Sequence, residues 1–238
     1  MNLRRKLTSL LIILICCLGH SQSIDNSELK VFLKKHVSNE GFINYEKLVR
    51  NKESLSEIVL GLSKLTPNTT WSKPETKAYW INVYNFNMLK LVSDYYPFKS
   101  IKYIQAPFNI EFININGQKV SLDDVENIII EEIGDPRMYF ALNNTSISAP
   151  ALSREPYTAE TLDTQLEFAV KNFINDSSKN YFSKTTNEAI LSPLFKWHAS
   201  HFEDLSAFIN KYLEGKQITN QTKITYSSFD WTLSKESY

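Results

Sequence analysis

Cysteine is almost missing from this chain: the only two, Cys16 and Cys17, sit side by side near the N-terminus. If that segment is removed, no disulfide, thiolate nucleophile or Cys-ligated zinc is available. A long apolar run is missing too. The longest, Leu7 to Leu18, is about a dozen residues, whereas a membrane-spanning helix needs roughly 20. There is no excess charge of either sign, with 26 Lys and Arg against 26 Asp and Glu. That balance argues against nucleic acid as a main partner. No low-complexity tract and no internal repeat is present.

What the N-terminus does contain reads as a targeting segment. Arg4, Arg5 and Lys6 precede the apolar run, and the small residues Gly19 and Ser21 follow it. That order describes a secretory signal peptide over residues 1–21, cut after Ser21. A lipoprotein site at Cys16 or Cys17 is disfavoured, because Ile15 or Cys16 precedes it where Gly, Ala or Ser belongs. A retained anchor is the remaining alternative. Cleavage removes three basic residues and leaves 23 against 26, a mildly acidic product with no transmembrane segment. The expectation is an exported protein, periplasmic or secreted. With 42% hydrophobic and 13% aromatic residues, it has the composition of a globular chain that relies on its core.

Helical spacing of Leu29, Phe32, Leu33 and Val37 predicts a helix over 27–37. Residues 41–45 read as an extended connector, and Leu48, Leu55, Ile58, Val59 and Leu62 as one or two further helices. Ser72 and Glu75 form a capping box with Pro74 in the first turn. The helix they open is apolar nearly all round, which predicts a central position, and Pro97 ends it. Asn116-Gly117 predicts a hairpin over 112–120 with a type I′ turn. Ser121 caps a helix that Gly134 stops. Tyr139 to Leu142 reads as a short strand running into the polar loop Asn143–Ser148. Thr158 opens a helix through Phe173, and Ser192-Pro193 opens another running to about Tyr212. Ile190-Leu191 and residues 224–226 read as extended. The sum is an α+β domain, helix-rich with a small antiparallel sheet. Residues 22–70 form an N-terminal helical extension and residues 71–234 the main body.

Chemistry is harder to place. His198 and His201 stand three apart, a spacing that can bind a metal, but no third ligand is fixed, so no metal and no cofactor is expected. Asn82 and Asn85 interrupt an apolar helix; they either tie loop backbone to the core or, with Trp80 and Tyr84, line a pocket. The loop bearing Asn143, Asn144, Ser146 and Ser148 is either a ligand loop or a turn held by its own hydrogen bonds. Ser146 or Ser148 with His198 or His201 has the ingredients of a serine nucleophile and its base, without a nucleophile elbow. Asp123, Asp124 and Glu126 read as helix-start carboxylates.

Six blocks in order resemble domain of unknown function 547: residues 78–85, 96–101, 121–126, 135–137 with 140–142, 194–197 and 229–231. The resemblance implies a histidine where this chain has Tyr139. It implies cysteines at Asn144 and Ala149, and an aspartate at His201. Thiol, imidazole and carboxylate would suit a nucleophilic system, or the thiols a disulfide. All four positions differ here while the Trp, Asn and Tyr framework remains. The expectation is a non-catalytic domain that binds a small molecule, peptide or envelope protein through Trp80, Asn82, Tyr84, Asn85, Tyr139, Asn143, Asn144, Ser146 and Trp197. The alternative is a hydrolase or transferase using Ser146 or Ser148 with His198 or His201.

Overall fold

The computed structural model describes residues 26–128, 134–215 and 217–235; the expected signal segment and both cysteines lie outside them. Helix α1 (Asn26–His36) buries Leu29, Phe32 and Leu33 on one face, as their spacing requires. The connector after it is extended, and Ile43 bridges both Val37 and Lys235. Gly41 is obligatory there: its φ is +85°, and a Cβ would lie 2.7 Å from the Ala151 side chain. Helices α2 (Tyr45–Val49) and α3 (Lys52–Ser63) follow.

Helix α4 (Lys73–Tyr95) opens on the expected capping box, in which Ser72 Oγ accepts from Glu75 N–H and Glu75 Oε2 accepts from Ser72 N–H. Every residue from Ala78 to Leu89 is buried, because α1, α2, α3 and α5 surround it. The N-terminal helices therefore share one core with the main body. The hairpin β1 (Ile113–Ile115) and β2 (Gln118–Val120) turns through Asn116 and Gly117, both at positive φ. Helix α5 (Leu122–Asn127) starts on a second capping box, Ser121 with Asp124. Gly134 has the left-handed φ of +62° expected after a helix; residues 129–133 before it lie outside the described ones.

Helix α6 (Leu162–Asn175), β3 (Tyr181–Phe182), β4 (Glu188–Leu191), α7 (Pro193–Trp197), α8 (Leu205–Tyr212) and β5 (Lys223–Tyr226) complete the described chain. The strand pair β3–β4 is antiparallel, and β5 adds to β4 in parallel. These elements pack a second apolar cluster around Phe140, Phe173 and Phe195. The whole is a single α+β domain, rich in helix with two small sheets. No helix among the described residues is long and apolar enough to cross a membrane.

Three local expectations need correction. Residues 139–142 are not a strand: Tyr139 and Phe140 end a 3-10 helix, Pro136–Phe140. Asp135 causes this, accepting from Arg137 N–H and from the Arg137 guanidinium, with Pro136 fixing φ at the first helical position. Burial works against the charge of Asp135, but hydrogen bonds from Arg137 and Lys77 outweigh it and hold its pKa down to about 2. Helix α6 begins after Thr161 rather than at Thr158, whose hydroxyl instead pairs with that of Thr161 at 2.9 Å. The long helix expected from Ser192 to Tyr212 is broken into α7, a 3-10 turn at Ala199–His201, and α8, which Asp204 caps afresh.

Candidate functional site

The 3-10 helix Pro136–Phe140 sends side chains into both apolar clusters. A cavity of about 170 Å³ opens at the seam between them. Helix α4 supplies Tyr84, α5 supplies Asp123 and Glu126, and the 3-10 helix supplies Tyr139. Asn144 and Pro150 come from the loop that follows, Trp197 and His198 from the end of α7, and Phe229 and Trp231 from the C-terminal segment. Phe108 closes one side. Trp197 is half exposed and packs on Phe229 at 4.9 Å and Trp231 at 5.9 Å, forming an aromatic rim. The break after α7 has a reason here: the Tyr139 ring stacks on His198 at 3.7 Å, and its hydroxyl pairs with His201 Nδ1 at 2.7 Å.

The protonation states inside are inverted. Burial first, and Asp123 second, push the Glu126 carboxyl up to about 7. Burial first, and His201 second, lower His198 to about 4. Near neutrality Glu126 is therefore only partly ionised and His198 is neutral, so their 3.8 Å contact through His198 Nε2 is not an ion pair. Tyr84 and Tyr139 are held protonated, chiefly by burial and then by Glu126. Among the described residues, no hydrogen bond engages the Tyr84 hydroxyl, the Glu126 carboxyl or the His198 imidazole. A hydroxyl on a side chain as buried as Tyr84 normally has a partner. Glu126 was read from the sequence only as a helix-start residue, and its enclosure is what that reading missed.

The positions singled out beforehand divide sharply. Tyr84, Tyr139, Asn144 and Trp197 line the cavity. Trp80 does not; it packs in the core against Tyr79. Asn82 bonds the backbone of Tyr157 in both directions, and Asn85 donates to Ala141 O and accepts from Asn143 N–H. Asn143 in turn donates to Pro150 O and accepts from Thr145 N–H. These three amides organise backbone rather than a pocket. Ser146 is almost fully buried, its hydroxyl donating to Asn144 Oδ1, so the 143–148 loop is not an open polar surface. Ser148 Oγ accepts from Asp230 N–H. No hydrogen bond among the described residues joins either serine to His198 or His201. The nucleophile–base pairing considered from the sequence is therefore not assembled.

Of the four positions where the resemblance implies other residues, Tyr139 and His201 are hydrogen-bonded to each other, and Asn144 lines the same cavity. The fourth, Ala149, is buried one residue before the cavity-lining Pro150, its N–H donating to Ser146 O. Among the described residues, no group of three His, Cys, Asp or Glu side chains is arranged to hold a metal.

A larger groove, about 860 Å³, runs beside α6 over Phe140, Phe168 and Phe173. Several of its charged groups are already paired, although the buried Arg154 Nε has no hydrogen-bond partner among the described residues. Lys171 meets Glu214 at 2.8 Å, and Lys179 donates to Ile147 O at 2.9 Å with Asp176 at 3.6 Å.

Neither the curated proteins nor the solved structures include a match to this chain. Residues 68–174 match the family described as protein of unknown function, DUF547. That span contains α4, α5, the 3-10 helix and the loop through Pro150, hence the cavity's floor; the Trp197 and Trp231 rim lies beyond it. The chain is a DUF547 domain-containing protein.

Proposed function

We propose that this protein is a ligand-binding domain whose site is the cavity beneath Trp197. One observation carries the reading: Tyr84, Glu126 and His198 turn polar groups without hydrogen bonds among the described residues into one aromatic-walled cavity. A few convergent polar groups with perturbed protonation in an otherwise apolar cleft are the common form of a small-molecule site. At about 170 Å³ the cavity takes a head group rather than a whole large ligand. The rest of the ligand would lie along the Trp197–Trp231 rim.

Binding without covalent chemistry suits the residues present. No thiol lines the cavity, and the Tyr139–His201 contact keeps a hydrogen-bonded side-chain pair where the resemblance implies histidine and aspartate. Export completes the reading: residues 1–21 have the order of a signal peptide, which would place the domain in the periplasm or outside the cell. Screening metabolites and peptides by thermal shift tests the binding role. Compounds that raise the melting temperature of the wild type are expected to lose that effect in Trp197→Ala. A screen with no Trp197-dependent compound would refute the assignment.

A further inference from the structure

We infer that the head group held in this cavity is an organic cation, an ammonium carried on a larger molecule; the inference rests on the ligand-site reading above. Every charge-bearing side chain lining the cavity is acidic or neutral. Asp123 and Glu126 are the carboxyls, His198 is a neutral imidazole, and no lysine or arginine is among the lining residues. The walls are six aromatic rings, Tyr84, Phe108, Tyr139, Trp197, Phe229 and Trp231, whose faces carry partial negative charge. Rings and carboxyls together disfavour an anion and reward a cation, and aromatic cages of this kind hold ammonium groups elsewhere. The rim already does so within the fold: Lys102 Nζ rests 5.0 Å from the centre of the Trp231 ring.

The cavity also explains why a cation and a proton would compete. Glu126 is faced by Asp123 from its own helix, by Tyr84 from α4, by Tyr139 from the 3-10 helix and by His198 from the end of α7. None of these supplies a positive charge near neutral pH. Around pH 7 the carboxyl is therefore partly protonated, and cation binding displaces the remaining proton into solvent. Affinity should rise as pH rises through about 7.

Calorimetric titration with choline and with 3,3-dimethylbutan-1-ol, which has carbon in place of the charged nitrogen, tests this. At pH 8 choline is expected to bind at least about tenfold more tightly than the alcohol, and to weaken about tenfold at pH 6. Glu126→Gln should flatten the pH dependence and weaken choline binding at pH 8. Equal affinity for the alcohol would remove the cation and leave a ligand site. Failure of both choline and butylammonium to bind at pH 8 would also overturn the cation. The ligand-site reading falls separately, on a screen without Trp197-dependent compounds.

Discussion

The wide groove beside α6 and the small cavity beneath Trp197 differ most in what their polar groups are already doing. In the groove, Lys171 and Lys179 are each met by an acidic partner, and Lys179 also bonds a backbone carbonyl. In the cavity, about a fifth of the size, Tyr84, Glu126 and His198 make no protein hydrogen bond among the described residues. Volume favours the groove, where the buried Arg154 Nε is unpartnered among the described residues, but three side chains with unspent hydrogen-bonding capacity converge in the cavity, and capacity is what a ligand needs. The same division runs along a single helix. Asn82 and Asn85 of α4 are saturated by backbone, while Tyr84 between them faces the cavity.

That division gives the largest predicted effect. Asn85→Ala strands Ala141 O and Asn143 N–H in the core and should cost about 2–5 kcal/mol, a fall of roughly 5–15 °C in melting temperature. Tyr84→Phe, one position earlier, removes a hydroxyl without a partner among the described residues and should cost under about 1 kcal/mol. Similar losses in the two variants would erase the distinction between saturated and available groups.

Glu126→Gln comes next. The folded carboxyl titrates near 7, above the ordinary 4.5, so its stabilising contribution is complete below pH 4.5 and disappears as pH rises through 7. Glutamine imitates the protonated acid. The variant should match wild type near pH 4.5 and exceed it at pH 8 by on the order of 2 kcal/mol in urea unfolding. A constant difference across that range would place the carboxyl in an ordinary environment.

His36 titrates in the opposite sense and lies away from the cavity. It is buried against Phe32, neither ring nitrogen has a partner among the described residues, and burial with Lys35 and Lys47 lowers it to about 4. The unfolded chain takes up this proton near 6.5 and the folded one only near 4, so stability falls as pH drops through that window. His36→Leu should unfold less readily at pH 5 than wild type and differ by under about 1 kcal/mol at pH 8. The smallest stability effect belongs to Trp197→Ala. Its half-exposed ring lies on the rim, and the substitution should shift unfolding by less than about 1 kcal/mol while abolishing ligand response.

Elements with local causes were legible in the sequence. The Ser72–Glu75 capping box and the Asn116-Gly117 turn act within a few residues, and both stand as expected. The stretch 139–142 misled because a short apolar run has no periodicity to separate strand from helix. Asp135 and Pro136 decided it from the preceding positions. The site was half legible. Tyr84, Tyr139, Asn144 and Trp197 were named from motif and residue type, and they do converge. Glu126 was not, because its altered acidity depends on burial beneath residues far along the chain such as Trp197 and Trp231. No local spacing reports that. Trp80, Asn82, Asn85 and Asn143 looked equally suited to a pocket, and only their partners show that the three amides organise backbone and that Trp80 packs in the core.

The central claim is that ligands enter the cavity rather than the groove, and one comparison tests it most directly. The same compound library is screened by thermal shift against wild type, Trp197→Ala and Phe168→Ala, the last altering the exposed ring of the groove. Compounds that stabilise wild type are predicted to stabilise Phe168→Ala equally and to leave Trp197→Ala unchanged. Compounds that still stabilise Trp197→Ala but lose their effect on Phe168→Ala would place the site in the groove and contradict the account.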